Sequence, residues 1–187
     1  MKIIRRCAAV AIALIIAIVS SVTATAQDGP RSSTGYVDLA QIGRLDDFFD
    51  EDPVIEVNIE GALLTLVAEA SRYEDPELAD MLTNLDGIYV RGYDTRGPGF
   101  ERISERARLI GKELEIAGWN TVVKVNDDEE SVHMYMRTDD RGVSGMVVMM
   151  AERYSDETVF LNIVGQIDPA QIGRIGSKFQ IGGLGEF

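Results

Sequence analysis

Apolar residues recur along this chain with two periods, every second position in some stretches and every third or fourth in others. The first marks a half-buried strand and the second an amphipathic helix. Val54 to Ile59 alternates, with Ile55, Val57 and Ile59 opposite Glu56 and Asn58, and predicts a strand. A helix is expected from about Gly61, with Leu63, Leu66, Val67 and Ala70 as its apolar stripe. Asp75-Pro76 then supplies a cap residue and an N1 proline ahead of Leu78, Met81, Leu82 and Leu85. Ile88 and Val90 alternate with Tyr89, Arg91 and Tyr93, giving a second strand with one apolar and one amphipathic face.

The clearest helix runs from Phe100 through Ile103, Ala107, Ile110, Leu114 and Ala117 to a stop at Gly118. Four strands are expected in close order after it, over Trp119–Val125, Ser131–Thr138, Val143–Met150 and Thr158–Ile167. Short polar turns at 126–130, 139–142 and 154–157 join them, so an antiparallel meander is the simplest arrangement. The fold class that follows is α+β, a two-layer sandwich with a largely antiparallel sheet of about six strands and helices packed on one face. Asp46 to Asp52, acid-rich around Phe48 and Phe49 and closed by Pro53, reads as an acidic loop.

The first residues change the picture of where the chain works. Lys2, Arg5 and Arg6 precede an apolar run from Ala8 to Val19, and Ala24-Thr25-Ala26 follows, which is the pattern of a secretory signal cleaved between Ala26 and Gln27. That run is short of the roughly 20 residues that span a bilayer, so no integral membrane segment is expected after cleavage. Residues 27–35 read as a flexible lead-in, 36–179 as a single domain and 180–187 as a flexible glycine-rich tail. The one cysteine, Cys7, falls in the leader, which leaves the mature chain without a disulfide, thiol nucleophile or thiolate metal site. Localisation is thus expected to be periplasmic or secreted.

Composition sets further bounds. Of 187 residues, 31 are acidic and 18 basic, a net charge of -13 that makes nucleic acid a poor partner. The single histidine, His133, has no motif around it, which leaves little room for triad, histidine-base or zinc chemistry. It alternates with Val132, Met134 and Met136 and shares its strand face with Tyr135 and Arg137, so it is expected on an exposed sheet face. With Tyr89, Arg91 and Tyr93 these residues make a candidate partner-binding face, because tyrosine, arginine and histidine are favourable contact residues. The partner would be an unknown envelope protein, and an uncovered edge strand would be the route to pairing two copies.

The remaining candidates are weaker. The acidic stretches at 46–52 and 126–130 lack the spacing of a calcium loop, and Met134, Met136, Met146, Met149 and Met150 lie in apolar strands as core rather than copper ligands, so neither a metal nor a cofactor is expected. The sequence has no Gly-x-Ser-x-Gly elbow and no phosphate-binding glycine loop. The leading function is a non-catalytic protein-interaction module; the alternatives are a hydrolase using paired carboxylates and a carrier of a small apolar ligand. A flat amphipathic face would favour the first, a deep acidic cleft the second and an internal apolar cavity the third. One internal repeat stands out: Asp38–Leu45 and Asp168–Ile175 share six of eight positions, each reading as a capped short helix, more simply a lid that closes a sheet edge or the core than one of two docking elements at the ends of the domain.

These pieces together resemble a known pattern. Val57-Asn58-Ile59 before Gly61-Ala62-Leu63-Leu64, Asp75-Pro76-Glu77-Leu78-Ala79, Leu85-Asp86-Gly87-Ile88-Tyr89-Val90-Arg91, Trp119, the strands over Val122–Val125 and Ser131–Met136, and Phe160-Leu161-Asn162-Ile163-Val164-Gly165-Gln166-Ile167-Asp168-Pro169 resemble the bacterial family catalogued as domain of unknown function 4252. The resemblance implies an exported envelope protein of α+β type with no established activity, cofactor or catalytic residue. Many members look like lipoproteins, and this chain departs from them because Cys7 precedes the apolar run.

Overall fold

The computed structural model describes residues 29–155 and 157–168. The expected signal sequence, the second copy of the repeat beyond Asp168 and the glycine-rich tail lie outside them. A 3-10 turn at Pro30–Ser32 and a second at Ile42–Arg44 lead into a short helix α1, Leu45–Phe49. Strand β1, Ile55–Glu60, is followed by helices α2, Gly61–Ser71, and α3, Pro76–Thr83, then by β2, Leu85–Asp94, and helix α4, Phe100–Ile116. The meander β3 (Asn120–Asn126), β4 (Glu130–Asp139), β5 (Gly142–Glu152) and β6 (Glu157–Ile167) completes the described elements. All pairings are antiparallel, in the order β1-β2-β6-β5-β4-β3, so β6 inserts between β2 and β5 and leaves β1 and β3 as the edges. The expected α+β class and antiparallel sheet are what the molecule shows.

Local chemistry accounts for the elements. Asp75 Oδ1 accepts a hydrogen bond from the Leu78 amide at 3.2 Å, capping α3 just before its N1 proline. Helix α4 turns Phe100, Ile103, Ala107, Ile110 and Leu114 inward, as its spacing requires. It stops because Gly118 takes φ +87° and lets the amides of Gly118 and Trp119 reach the carbonyls of Glu115 and Leu114. Midway along it, Gly111 lets the helix approach the sheet, since a Cβ there would fall 1.9 Å from the Tyr135 hydroxyl.

Three local expectations need correction. Part of the acid-rich segment at 46–52 is helix α1, because Leu45 and Phe49, one turn apart, are both buried while the acids face out. On α2 the buried residues are Leu64 and Ala68, whereas Leu63 and Leu66 of the expected stripe are 48% and 65% exposed. The helix is apolar on nearly every side, and its 3.6-residue period alone could not choose the face. The helices, expected on one face, divide between two. Helix α4, α1 and the chain from Tyr36 to Leu45 cover one face, in a cluster with Tyr89, Tyr93, Tyr135 and Phe160. The α2–α3 pair packs with Met134, Met146, Val148 and Ile167 on the other.

Candidate functional site

The register of the sheet sorts its residues into rows. On the face under α4, one row reads Glu56, Arg91, Phe160, Met149, His133 and Lys124, and its neighbour reads Asn58, Tyr89, Asn162, Val147, Tyr135 and Thr121. Tyr89, Arg91, Tyr93, His133, Tyr135 and Arg137 therefore do share a face. That face is the covered one: Tyr89, Tyr93, His133 and Tyr135 are each at most 4% exposed. The rows also place β6 and β5 between the two groups, so they do not form one continuous patch. Alternation correctly grouped the side chains, but the face expected to be open also carries helices, because tyrosines with polar tips such as Tyr89 and Tyr93 pack in a core when a carboxylate meets the hydroxyl.

Those partners are present. The Tyr89 hydroxyl donates to Glu60 Oε2 at 2.6 Å and the Tyr93 hydroxyl to Asp46 Oδ1 at 2.8 Å. Arg91 bridges Glu56 at 3.1 Å and Asp46 at 3.6 Å, and Phe49 stacks on Tyr93 with ring centroids 4.3 Å apart. Burial first, and the Asp46 hydrogen bond second, push the Tyr93 hydroxyl up to about 12, and the same two causes raise Tyr89 with Glu60 as the acceptor. The Tyr89 hydrogen bond, helped by Arg31, holds the Glu60 carboxyl below its ordinary value. A carboxylate held ionised in this way accepts hydrogen bonds and is unsuited to act as a general acid at neutral pH. Arg137 donates to the Ala117 carbonyl at the end of α4.

His133 is fully buried rather than on an exposed face. Its Nε2 lies 2.8 Å from Asn126 Oδ1, while Nδ1 has no hydrogen-bond partner. Burial, then the charge of Lys124 directly across on β3, hold its pKa below the ordinary histidine value, with the Ala107 backbone opposing them. Asn162, at the centre of the same face, is also fully buried; its amide donates to the Gly35 and Met146 carbonyls at 3.0 and 3.1 Å and its Oδ1 accepts from the Val37 amide at 2.9 Å. It thereby ties the end of the polar lead-in to the sheet. The first copy of the repeat lies just beyond: Asp38 caps its own turn through the Ala40 amide, and Leu39 and Leu45 are buried.

The opposite face is of another kind. Its three rows read Ile55, Gly92, Val159, Met150, Val132, Val125; then Val57, Val90, Leu161, Val148, Met134, Val123; then Ile59, Ile88, Ile163, Met146, Met136. The cluster under α2 and α3 takes in the third row and most of the second. Of the first row it takes in Met150, and Val132 there is buried, but at the corner formed by β1, β2 and β6 Ile55 is 37% exposed and Val57, Val90 and Val159 are half-buried and lie outside both core clusters, as does Val125 at the β3 edge. The signal for this face was in the sequence, in the alternate Val, Ile, Leu and Met positions of every strand, but those positions read as core.

Two further features bear on the alternatives. An open groove of about 690 Å³ lies between α2, the end of α3, the lead-in and the β4–β5 turn, with Leu64, Ala68, Leu82 and Leu85 beside Glu69, Asp86 and Arg141. Among the described residues no three His, Cys, Asp or Glu side chains converge to hold a metal ion, and no helix is long and apolar enough to cross a membrane. No curated protein matches the chain. The family model described as a domain of unknown function (DUF4252) matches residues 48–175, from α1 through β6 and beyond, and the chain belongs to that family.

Proposed function

We propose that this protein is an exported, non-catalytic protein-interaction module that works in the cell envelope and contacts its partner through the uncovered end of the apolar sheet face. The observation that carries the reading is the corner of that face formed by β1, β2 and β6, where the register neighbours Ile55, Val57, Val90 and Val159 lie outside both core clusters. Contiguous apolar surface of this kind is costly to leave in water and marks a contact site. The signal-like leader supports export, and the position of Cys7 ahead of the apolar run argues against lipid attachment. The hydrolase reading is weakened because Asp46, Glu56 and Glu60 serve as acceptors for Tyr93, Arg91 and Tyr89. The carrier reading has only the open, partly polar groove beside α2.

Site-specific photocrosslinking in cells tests the proposal. A photoreactive residue at Val57, on the apolar face, should give a discrete protein adduct. The same residue at Ile116, 87% exposed on α4, should give none. No adduct at Val57, or the same adduct at both positions, would overturn it. Intact-mass measurement of the mature protein should begin at Gln27; a retained Met1 would overturn the export part.

A further inference from the structure

The exposed charges on the connections at this end of the sheet that form no salt bridge with a described residue are acidic. The outer row lies at the end of the sheet where β1, β4 and β6 begin and β2, β3 and β5 finish. The connections at that end carry Glu51, Asp52, Asp128, Glu129, Glu152 and Glu157, all exposed and none in a salt bridge with a described residue. The arginines of the same end are engaged: Arg96 is bound to Asp94, and Arg153 pairs with Glu101 at 2.6 Å. The opposite end differs, since Arg31, Arg72 and Arg141 are interleaved there with the acids Glu60, Asp80 and Asp139.

From this geometry we infer that the partner presents a basic amphipathic segment, whose apolar side lies on Ile55, Val57, Val90 and Val159 and whose lysines or arginines meet the acidic rim. The inference rests on the interaction reading above and names the chemistry of its partner. An apolar floor supplies affinity to any apolar ligand, whereas a rim of one sign chooses among them by attraction and by rejection. The rim repels anionic lipid and nucleic acid, and it opposes a second copy of this strongly acidic chain. A cationic segment with one apolar side satisfies both features at once, in the manner of an amphipathic helix laid on an apolar surface.

The test uses residues 27–187 and two synthetic helical peptides built from leucine and one charged residue, lysine in the first and glutamate in the second, with the charges on one side. Fluorescence anisotropy should show the lysine peptide binding, more weakly as salt rises, and the glutamate peptide not binding. Vesicles of phosphatidylglycerol should not bind. Val57→Asp with Val159→Asp should lower the affinity by about tenfold or more. The pair Glu152→Lys and Glu157→Lys touches no core residue, so it keeps the test valid if the first variant fails to fold; it should lower affinity by a smaller factor and flatten the salt dependence. Equal binding of the two peptides would overturn the basic partner while leaving the interaction surface standing. Binding of the lysine peptide that Val57→Asp with Val159→Asp does not change would overturn the surface itself, and tight vesicle binding would replace the protein partner by a lipid one.

Discussion

The two faces of one sheet are built from the same six strands and end in opposite conditions. Under α4, buried polar groups are abundant and many are met, Tyr89 by Glu60, Tyr93 by Asp46, Asn162 by Gly35, Val37 and Met146, and His133 Nε2 by Asn126, while the Tyr135 hydroxyl and His133 Nδ1 have no hydrogen-bond partner. The strand residues that pack under α2 and α3 are apolar, yet the cluster leaves out Ile55, Val57, Val90 and Val159 at the corner of the sheet. Polar content therefore marks the finished face here, and apolar content the unfinished one. The physical reason is that burying a hydroxyl or amide costs free energy unless a fixed partner meets it, and fixed partners come from a layer packed above. Apolar surface carries no such requirement and can await a partner.

The sharpest way to break the contrast is to truncate neighbours that point to opposite faces. Phe160 is 1% exposed among Phe49, Tyr93 and α4-side residues, and Phe160→Ala should cost about 3–5 kcal/mol in urea denaturation. Val159→Ala, one residue away on the half-buried row, should cost about 1 kcal/mol or less. Similar costs would mean that the second face is as closed as the first. A smaller effect is expected at the polar centre: Asn162→Ala orphans the Val37 amide and two carbonyls, and should cost about 2–3 kcal/mol with early proteolytic loss of the segment before Tyr36.

His133 gives the same face a pH dependence that the apolar face lacks. Its folded pKa is lowered, so the unfolded chain binds the proton more readily and stability rises with pH. The contribution is complete above the unfolded value of about 6.5 and is lost as pH falls from there through the lower folded value. Because the chain has one histidine, the slope between pH 5 and pH 7 should be largely removed by His133→Gln. It should be reduced by Lys124→Met, which takes away the facing charge. An unchanged slope in both variants would place the titrating group elsewhere. Smallest of all, Leu66→Ser on the 65% exposed side of α2 should change stability by no more than about 0.5 kcal/mol.

Much of the fold was legible because its signals are local. The stripe of α4, the Asp75-Pro76 start of α3, the stop at Gly118 and the polar turns of the β3–β6 meander all follow from residues a few positions apart. What failed depended on contacts distant in sequence. Tyr89 and Tyr93 read as surface until Glu60 and Asp46 appear as their acceptors, and Asp46 belongs to a segment 47 positions from Tyr93. Insertion of β6 beside β2, which separates Arg91 from His133, leaves no trace in either strand. On α2, apolar residues on most sides concealed that Leu64 rather than Leu63 faces the sheet.

The most direct measurement is amide hydrogen exchange of residues 27–187 with and without the leucine–lysine peptide. Slowed exchange confined to β1 around Val57 and to β6 around Val159, with α4 unchanged, is the result expected if the uncovered apolar row is the contact surface. Protection on α4, or none anywhere at a peptide concentration that saturates anisotropy, would contradict it.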